Sequence, residues 1–227
     1  MKYFLILLFL ISPQISSAAV AFVSATNMVA SQTASVDTGT GANRVACVTA
    51  SAQTDILTGV TVGSDTLSFQ TKVAVSGYNI NWMYCGVLTV TGTQTVTISG
   101  SGTYQLNTTL LYSGAGTPKN AVTNTGNGTS GTVTASPTPA STSWLVGGGA
   151  NDSIVIVAGS NTTCRNVNGC PGDSAIGAFD SNGVASPTAL NTTVAGNWAM
   201  FAVEIPVPSA AATPTSLLGL IRAFWIF

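Results

Sequence analysis

The chain has 227 residues, and only 13 of them are charged, six Lys or Arg and seven Asp or Glu. Charged residues are 6% of the total, against roughly a quarter in an ordinary globular protein, which excludes a basic face for phosphate binding. There is no histidine, so every mechanism with an imidazole base and every His metal site is excluded too.

The N-terminus carries an export signal. Lys2 is the lone charge of a short n-region, Tyr3 to Ile11 is an unbroken apolar run, and Pro13 and Gln14 break it. Small residues at Ser16 and Ala18, or at Ser17 and Ala19, suit a signal-peptidase site. The run is shorter than the ~20 apolar residues of a membrane span. Residues 1–19 are therefore expected to be a signal peptide cleaved near Ala18 or Ala19, and the protein to be secreted or cell-surface. Cleavage after Ala18 leaves 209 residues and, with Lys2 gone, a net charge of −2.

After the signal, short runs rich in Val, Ile, Thr and aromatics recur between Gly, Asn, Asp and Ser clusters, with no helical period. The predicted strands are Met28–Val36, Arg44–Ala52, Leu57–Val62, Leu67–Val75, Ile80–Val90, Thr95–Ser99, Gln105–Tyr112, Gly131–Ala135, Ser141–Val146, Ser153–Ala158, Ala175–Phe179, Thr188–Val194 and Trp198–Ile205. In Thr95–Ser99, Val96 and Ile98 share one face and the hydroxyls the other. Thr suits such outward positions, being β-branched and solvated without charge. In Ile80–Val90, Trp82 and Tyr84 share one face, Met83 and Cys85 the other. Ile154–Val157 and Met200–Val203 are apolar on both faces and read as central strands. The fold class is all-β, a two-sheet antiparallel sandwich or jelly roll over residues 20–206. The segment 136–140 (SPTPA) reads as a loop between its halves, and Gly147-Gly148-Gly149 as a loop or bulge. A Pro/Ala-rich spacer (207–215) and a hydrophobic tail (216–227, SLLGLIRAFWIF) follow. The tail is too short to span a bilayer. It is open to membrane contact at the interface, donation to a neighbouring subunit, or packing on its own domain.

Cys47, Cys85, Cys164 and Cys170 form an even set in an exported chain, which suggests disulfides. Local pairs are favoured: Cys47 with Cys85 across neighbouring strands or sheets, and Cys164 with Cys170 across a polar turn. Loop-closure entropy assigns roughly 4 kcal/mol to the longer loop and roughly 2 kcal/mol to the shorter.

Candidate sites are few. Glu204, the only Glu, faces opposite Val203 and Ile205, and as a catalytic acid would need a carboxylate partner. Asp37, Asp55, Asp65, Asp152, Asp173 and Asp180 sit in turn-like contexts and are expected to cap turns or be solvated. Asp180-Ser181-Asn182-Gly183, with Asp173 nearby, begins like a calcium loop but lacks the closing bidentate Glu. A tight turn is expected, and Asp173, Asp180 and Asn182 would be the ligands of any bound calcium. No other cofactor is expected. No G-x-S-x-G and no Walker-type loop occurs. Tyr78, Tyr104 and Tyr112 lie beside turns and are expected to be exposed. Tyr78 and Tyr104 are the expected glycan contacts, whereas Trp82, Trp144 and Trp198 are expected to pack in the core. Asn107, Asn127, Asn151, Asn161 and Asn191 head glycosylation sequons.

The order of these features resembles that of secreted bacterial and phage-associated β-sandwich domains. A polar strand and Gly/Asn turn lead to Asn43-Arg44 and an apolar strand. Then come Leu57–Leu67, an aromatic strand at Asn81–Cys85, a Thr/Val hairpin at Thr93–Ser99 and a last strand opening on Trp198. The resemblance implies surface display, adhesion or glycan binding, and carries no catalytic residues. The expected function is a non-enzymatic surface or extracellular module whose partner is a glycan or cell-surface component. One alternative is a filament or surface-layer subunit that self-assembles by strand exchange. Another is an Asp-dependent polysaccharide-acting enzyme.

Overall fold

The computed structural model describes residues 19–29, 31–54, 57–75, 80–101, 106–152, 156–166, 176–184 and 186–209. Residues 1–18 and 210–227, which hold most of the signal and all of the hydrophobic tail, lie outside the described residues.

The described residues form sixteen strands. They are β1 (Ala21–Val29), β2 (Thr33–Asp37), β3 (Arg44–Ala52), β4 (Leu57–Val62), β5 (Asp65–Ala74), β6 (Ile80–Leu88), β7 (Thr93–Gly100) and β8 (Leu106–Ser113). After these come β9 (Lys119–Asn127), β10 (Ser130–Thr134), β11 (Trp144–Asn151), β12 (Val157–Ala158), β13 (Thr163–Cys164), β14 (Ile176–Asp180), β15 (Ala189–Thr193) and β16 (Asn197–Ile205). All recorded pairings are antiparallel, and the antiparallel sandwich expected from the sequence is present. It is built from three sheets. An eight-stranded sheet runs β1-β8-β3-β6-β5-β4-β7-β2, a five-stranded sheet β13-β14-β11-β16-β9, and a three-stranded sheet β10-β15-β12.

Three cores hold the layers together. The eight-stranded sheet curls so that β2, β4 and β7 cover one face of β3 and β6, burying Ala46, Val48, Val60, Val62, Trp82, Val96 and Ile98. The other face of β3, β6 and β8 meets the five-stranded sheet through Val45, Cys47, Met83, Cys85, Leu110, Phe201 and Val203. The outer face of the five-stranded sheet packs on the three-stranded one through Leu145, Phe179, Leu190 and Met200. Strand β3 is thus buried at all nine positions, as an internal strand with both faces covered must be. The split of Trp82 and Tyr84 from Met83 and Cys85 follows the predicted alternation, with each pair in a different core.

Several elements differ from the sequence expectation. The predicted strand Met28–Val36 is two strands, because β1 pairs with β8 and β2 with β7 at opposite ends of the sheet. Strand β9 escaped prediction: it is a sheet edge with mostly exposed, polar positions, so it lacks an apolar pattern. The chain passes between the two packed halves at residues 114–118, not at 136–140, since β9 already belongs to the five-stranded sheet.

The triple glycine is neither a loop nor a bulge. Gly147, Gly148 and Gly149 lie inside β11 and pair in unbroken register with Ala202, Phe201 and Met200. A side chain at Gly147 would run into the Phe201 carbonyl and the Leu190 side chain, and one at Gly148 into the Phe201 ring. The glycines make room for large neighbours on both faces, a use of strand Gly where backbones or side chains approach closely. Gly147→Ala is therefore expected to destabilise by roughly 1–3 kcal/mol through overpacking, read as a lower urea midpoint at unchanged m-value.

Candidate functional site

Polar side chains in this protein fall into two groups, those locked inside the sandwich and those presented on its surface. The locked group is the more surprising for so uncharged a chain. Tyr112, expected to be exposed, is fully buried at the end of β8. Its hydroxyl donates to Asp180 Oδ2 at 3.0 Å, and the same oxygen accepts Arg165 Nε at 2.6 Å. Arg165 also donates to Asn182 Oδ1 and lies 4.0 Å over the Phe22 ring. Phe22 and Trp144 both meet Tyr112 edge to face. The cluster joins strands of the first half, β1 and β8, to β11 and β14 of the second.

Asp180 has no exposed surface. Burial pushes its carboxyl above the ordinary value of 3.8, against the lowering effect of Arg165, Tyr112 and the Asn182 amide. Tyr112 is raised well above the usual phenol value, first by burial and then by the neighbouring Asp180 carboxylate. The Asp180-Ser181-Asn182-Gly183 segment is the expected turn, with Asn182 in the left-handed region and its amide donating to Asp180 Oδ1. Both Asp180 oxygens are thus occupied by protein donors, one of them the Arg165 guanidinium, so this carboxylate is arranged to hold a cation of the chain itself. The third suggested calcium ligand, Asp173, lies outside the described residues. Among the described residues no group of three or more His, Cys, Asp or Glu side chains could hold a metal ion.

Of the other described Asp side chains, Asp37 caps its own turn, whereas Asp65 and Asp152 accept from segments distant in the chain. Asp37 accepts the Gly39 amide, and Asp152 accepts the Asn197 amide and side chain. Asp65 accepts both the amide and hydroxyl of Thr89, and the Val90 amide. Burial is the largest single influence on Asp65 and raises its pKa, but these hydrogen bonds and the Arg44 charge together outweigh it, leaving a net lowering from 3.8. Asp55 lies outside the described residues. Glu204 is buried, its oxygens accepting from Ser143 Oγ at 2.7 Å and Asn120 Nδ2 at 2.6 Å, with Lys119 Nζ 3.6 Å away. It faces away from the Val203 and Ile205 core as alternation requires, and its contacts bridge β9, β16 and the start of β11. Arg44, of the Asn43-Arg44 pair, is buried with Nη1 donating to the carbonyls of Thr38, Gly39 and Val90. It ties the β2–β3 turn to the β6–β7 connection.

Cys47 and Cys85 are bonded to each other, directly opposite on β3 and β6. Cys164 is also disulfide-bonded, while Cys170 lies outside the described residues. Asn107 and Asn151 are buried. Asn107 bonds the Ser51 amide and the Ser31 carbonyl, so those two sequons cannot accept a glycan on the folded protein.

Tyr78 and Tyr104, the predicted glycan contacts, lie outside the described residues. Trp82 and Trp198 are in the core as expected, and Trp144 packs against it. Among the described residues the large aromatic presented to solvent is instead Phe69, 52% exposed. It sits on β5 at a register shift against β6, between Phe69 and Thr71. The bulge comes after Phe69, which keeps the side of Leu67 and lies opposite Tyr84, and β4 pairs with β5 only as far as Leu67, so the cover over this side ends before position 69. The ring is braced edge-on by Tyr84 at 5.5 Å. Ser68, Gln70 and Thr71 flank it in sequence, and the Gln70 amide donates to the Ser68 carbonyl. Sequence alternation puts position 69 on the side of Leu67, and only the end of the β4 pairing at Leu67 reveals that this side is open there. An open groove of about 710 Å³ lies elsewhere, where the chain leaves β16 at Pro206–Ser209 beside Val87, Gly116 and Lys119. Comparison with family models, with curated proteins and with solved structures found no match for this chain.

Proposed function

We propose that the protein is an exported, non-enzymatic surface module for adhesion or glycan binding. The observation that supports this reading is Phe69, an aromatic ring half exposed on a rigid strand and braced by Tyr84. A ring held this way offers a face for a pyranose, and the hydroxyl and amide side chains beside it suit sugar hydroxyls. The buried carboxylates Asp180 and Glu204 are engaged by donors of the protein itself, so recognition falls to the surface. Binding of the mature chain to a glycan array is the test. Phe69→Ala should abolish the signal without changing the melting temperature. An array response equal to that of the unsubstituted chain would refute Phe69 as the platform, and Tyr78 and Tyr104 would then be substituted in turn.

A second reading, self-assembly by strand exchange, is favoured by β9. This nine-residue strand contains no Pro, and its outer edge has no paired strand among the described residues, the geometry on which another chain can add. Negative-stain microscopy with and without residues 217–227 separates the readings. Filaments lost on truncation support assembly, and monomers in both samples support the module.

A further inference from the structure

The outer face of β2, β7, β4 and β5 carries a hydroxyl grid. The register places Thr33 opposite Thr97, Thr97 opposite Thr61, and Thr61 opposite Thr66, one Thr on each of four adjacent strands. Ser35 and Thr95 form the next row along β2 and β7, followed by Asp37 and Thr93. The inward residues between them, Val36, Val60, Val62, Leu67, Val96 and Ile98, are all in the core. Alternation therefore turns every one of these Thr and Ser side chains outward.

Two observations separate this face from an ordinary solvated sheet. First, it is the continuation of a surface that is apolar wherever it is covered. Over β3, β6 and β8 the same side of the sheet presents Val45, Cys47, Met83 and Leu110 to the five-stranded sheet. Only where the cover ends does the pattern become Thr and Ser, so the open part is not matched to an apolar protein partner. Second, the hydroxyls of these rows are left unpaired. On the three-stranded sheet, by contrast, Thr132 bonds Asn191, and Asn191 bonds the Ser160 carbonyl. Among the described residues, the side-chain hydroxyls of Thr33, Ser35, Thr61, Thr66, Thr95 and Thr97 make no hydrogen bond within the protein.

Sheet geometry sets the spacing of such a grid. Rows repeat at about 4.8 Å across strands, and alternate residues at roughly 6.6 Å along them. Each Thr adds a methyl group beside its hydroxyl, so the surface combines apolar ledges with regularly spaced donors and acceptors. Charge, which orders water radially around itself and not in a lattice, enters these rows only at their margin, at Asp37. Aromatic platforms, which a sugar would need, are missing from the rows themselves.

We propose that this face orders water in a lattice and adsorbs to ice. The ligand is the crystal surface, and the contacts are the Thr methyls and hydroxyls of the Thr33–Thr97–Thr61–Thr66 row and its Ser35–Thr95 neighbour. Sheet twist of roughly 20° per strand limits the matching area, so β7 and β4 at its centre contribute most. This site is separate from the glycan platform at Phe69.

The test is nanolitre osmometry and ice-crystal shaping by the mature full chain. The unsubstituted protein should facet growing ice and open a gap between melting and freezing. Thr61→Tyr with Thr97→Tyr, which points bulk outward from the central pair, should abolish both effects while the thermal unfolding curve is retained. Thr97→Val, which keeps the methyl shape and loses one hydroxyl, should leave part of the gap, and this variant serves if the double substitution misfolds. Phe69→Ala should leave ice activity untouched, so failure of either proposal is visible independently. The proposal is overturned if the unsubstituted chain neither shapes ice nor opens a freezing gap. It is equally overturned if the Tyr variants keep full activity, or if light scattering shows the face to be buried in a dimer.

Discussion

Arg165→Ala should destabilise the protein by roughly 3–5 kcal/mol at neutral pH, since it strips the partner from a fully buried carboxylate. Asp180 would keep only the Tyr112 hydroxyl and the Asn182 amide as donors. The Phe22 ring would also lose the guanidinium stacked on it. For a chain of this size the loss corresponds to a fall in melting temperature on the order of 10 °C. Differential scanning calorimetry against the unsubstituted protein reads it directly. The effect should shrink toward acid, because burial already favours the protonated form of Asp180. The sign for the unsubstituted protein follows from the same shift. Asp180 has a folded pKa above its unfolded value, so its contribution is fully present below the ordinary Asp range. That contribution declines as pH rises through the folded pKa. Asp180→Asn should flatten that decline in a plot of stability against pH. A variant with the same slope as the unsubstituted protein would place the acid dependence elsewhere.

Opening the Cys47–Cys85 bridge should cost about 4 kcal/mol, from the entropy returned to an unfolded chain no longer closed over a separation of 38 residues. The bridge lies in the core between the two halves, beside Val45, Met83 and Leu110. Two small buried side chains therefore suffice to replace it sterically, and Cys47→Ala with Cys85→Ala isolates the entropic effect from bulk repacking. Urea unfolding of this variant should show a lower midpoint, with a smaller change in the intact protein after mild reductant, because the bridge is shielded from solvent. Equal midpoints for variant and parent would show that the unfolded chain is held together by other means.

Local pattern was enough to read the individual strands. Alternation placed Trp82 and Tyr84 opposite Met83 and Cys85, and the boundaries of β3 and β4 coincide with the predicted ones. Sequence pattern failed where the deciding neighbour is distant in the chain. Gly147-Gly148-Gly149 carries every local mark of a loop, and only the bulk of Phe201, Leu190 and Met200 across the sheets explains it as strand. Tyr112 ends an apolar run near a glycine and reads as exposed. It is buried because Asp180, 68 positions away, accepts its hydroxyl. Arg165 has no local feature that marks it as the partner of Asp180. Phe69 shares the side of Leu67 by period and is exposed because β4 pairs with β5 only as far as Leu67.

By itself the sequence determined the all-β class, the inward and outward sides of most strands, and the replacement of charge by Thr, Ser and Asn. These follow from side-chain periodicity and from composition, which act residue by residue. Only the tertiary structure decided how the sheets stack, which carboxylate is buried with which cation, and which ring meets solvent. It alone aligned Thr33, Thr97, Thr61 and Thr66 in one row. Antiparallel register is set by pairings between segments far apart in the chain, and no local pattern encodes which strands become neighbours.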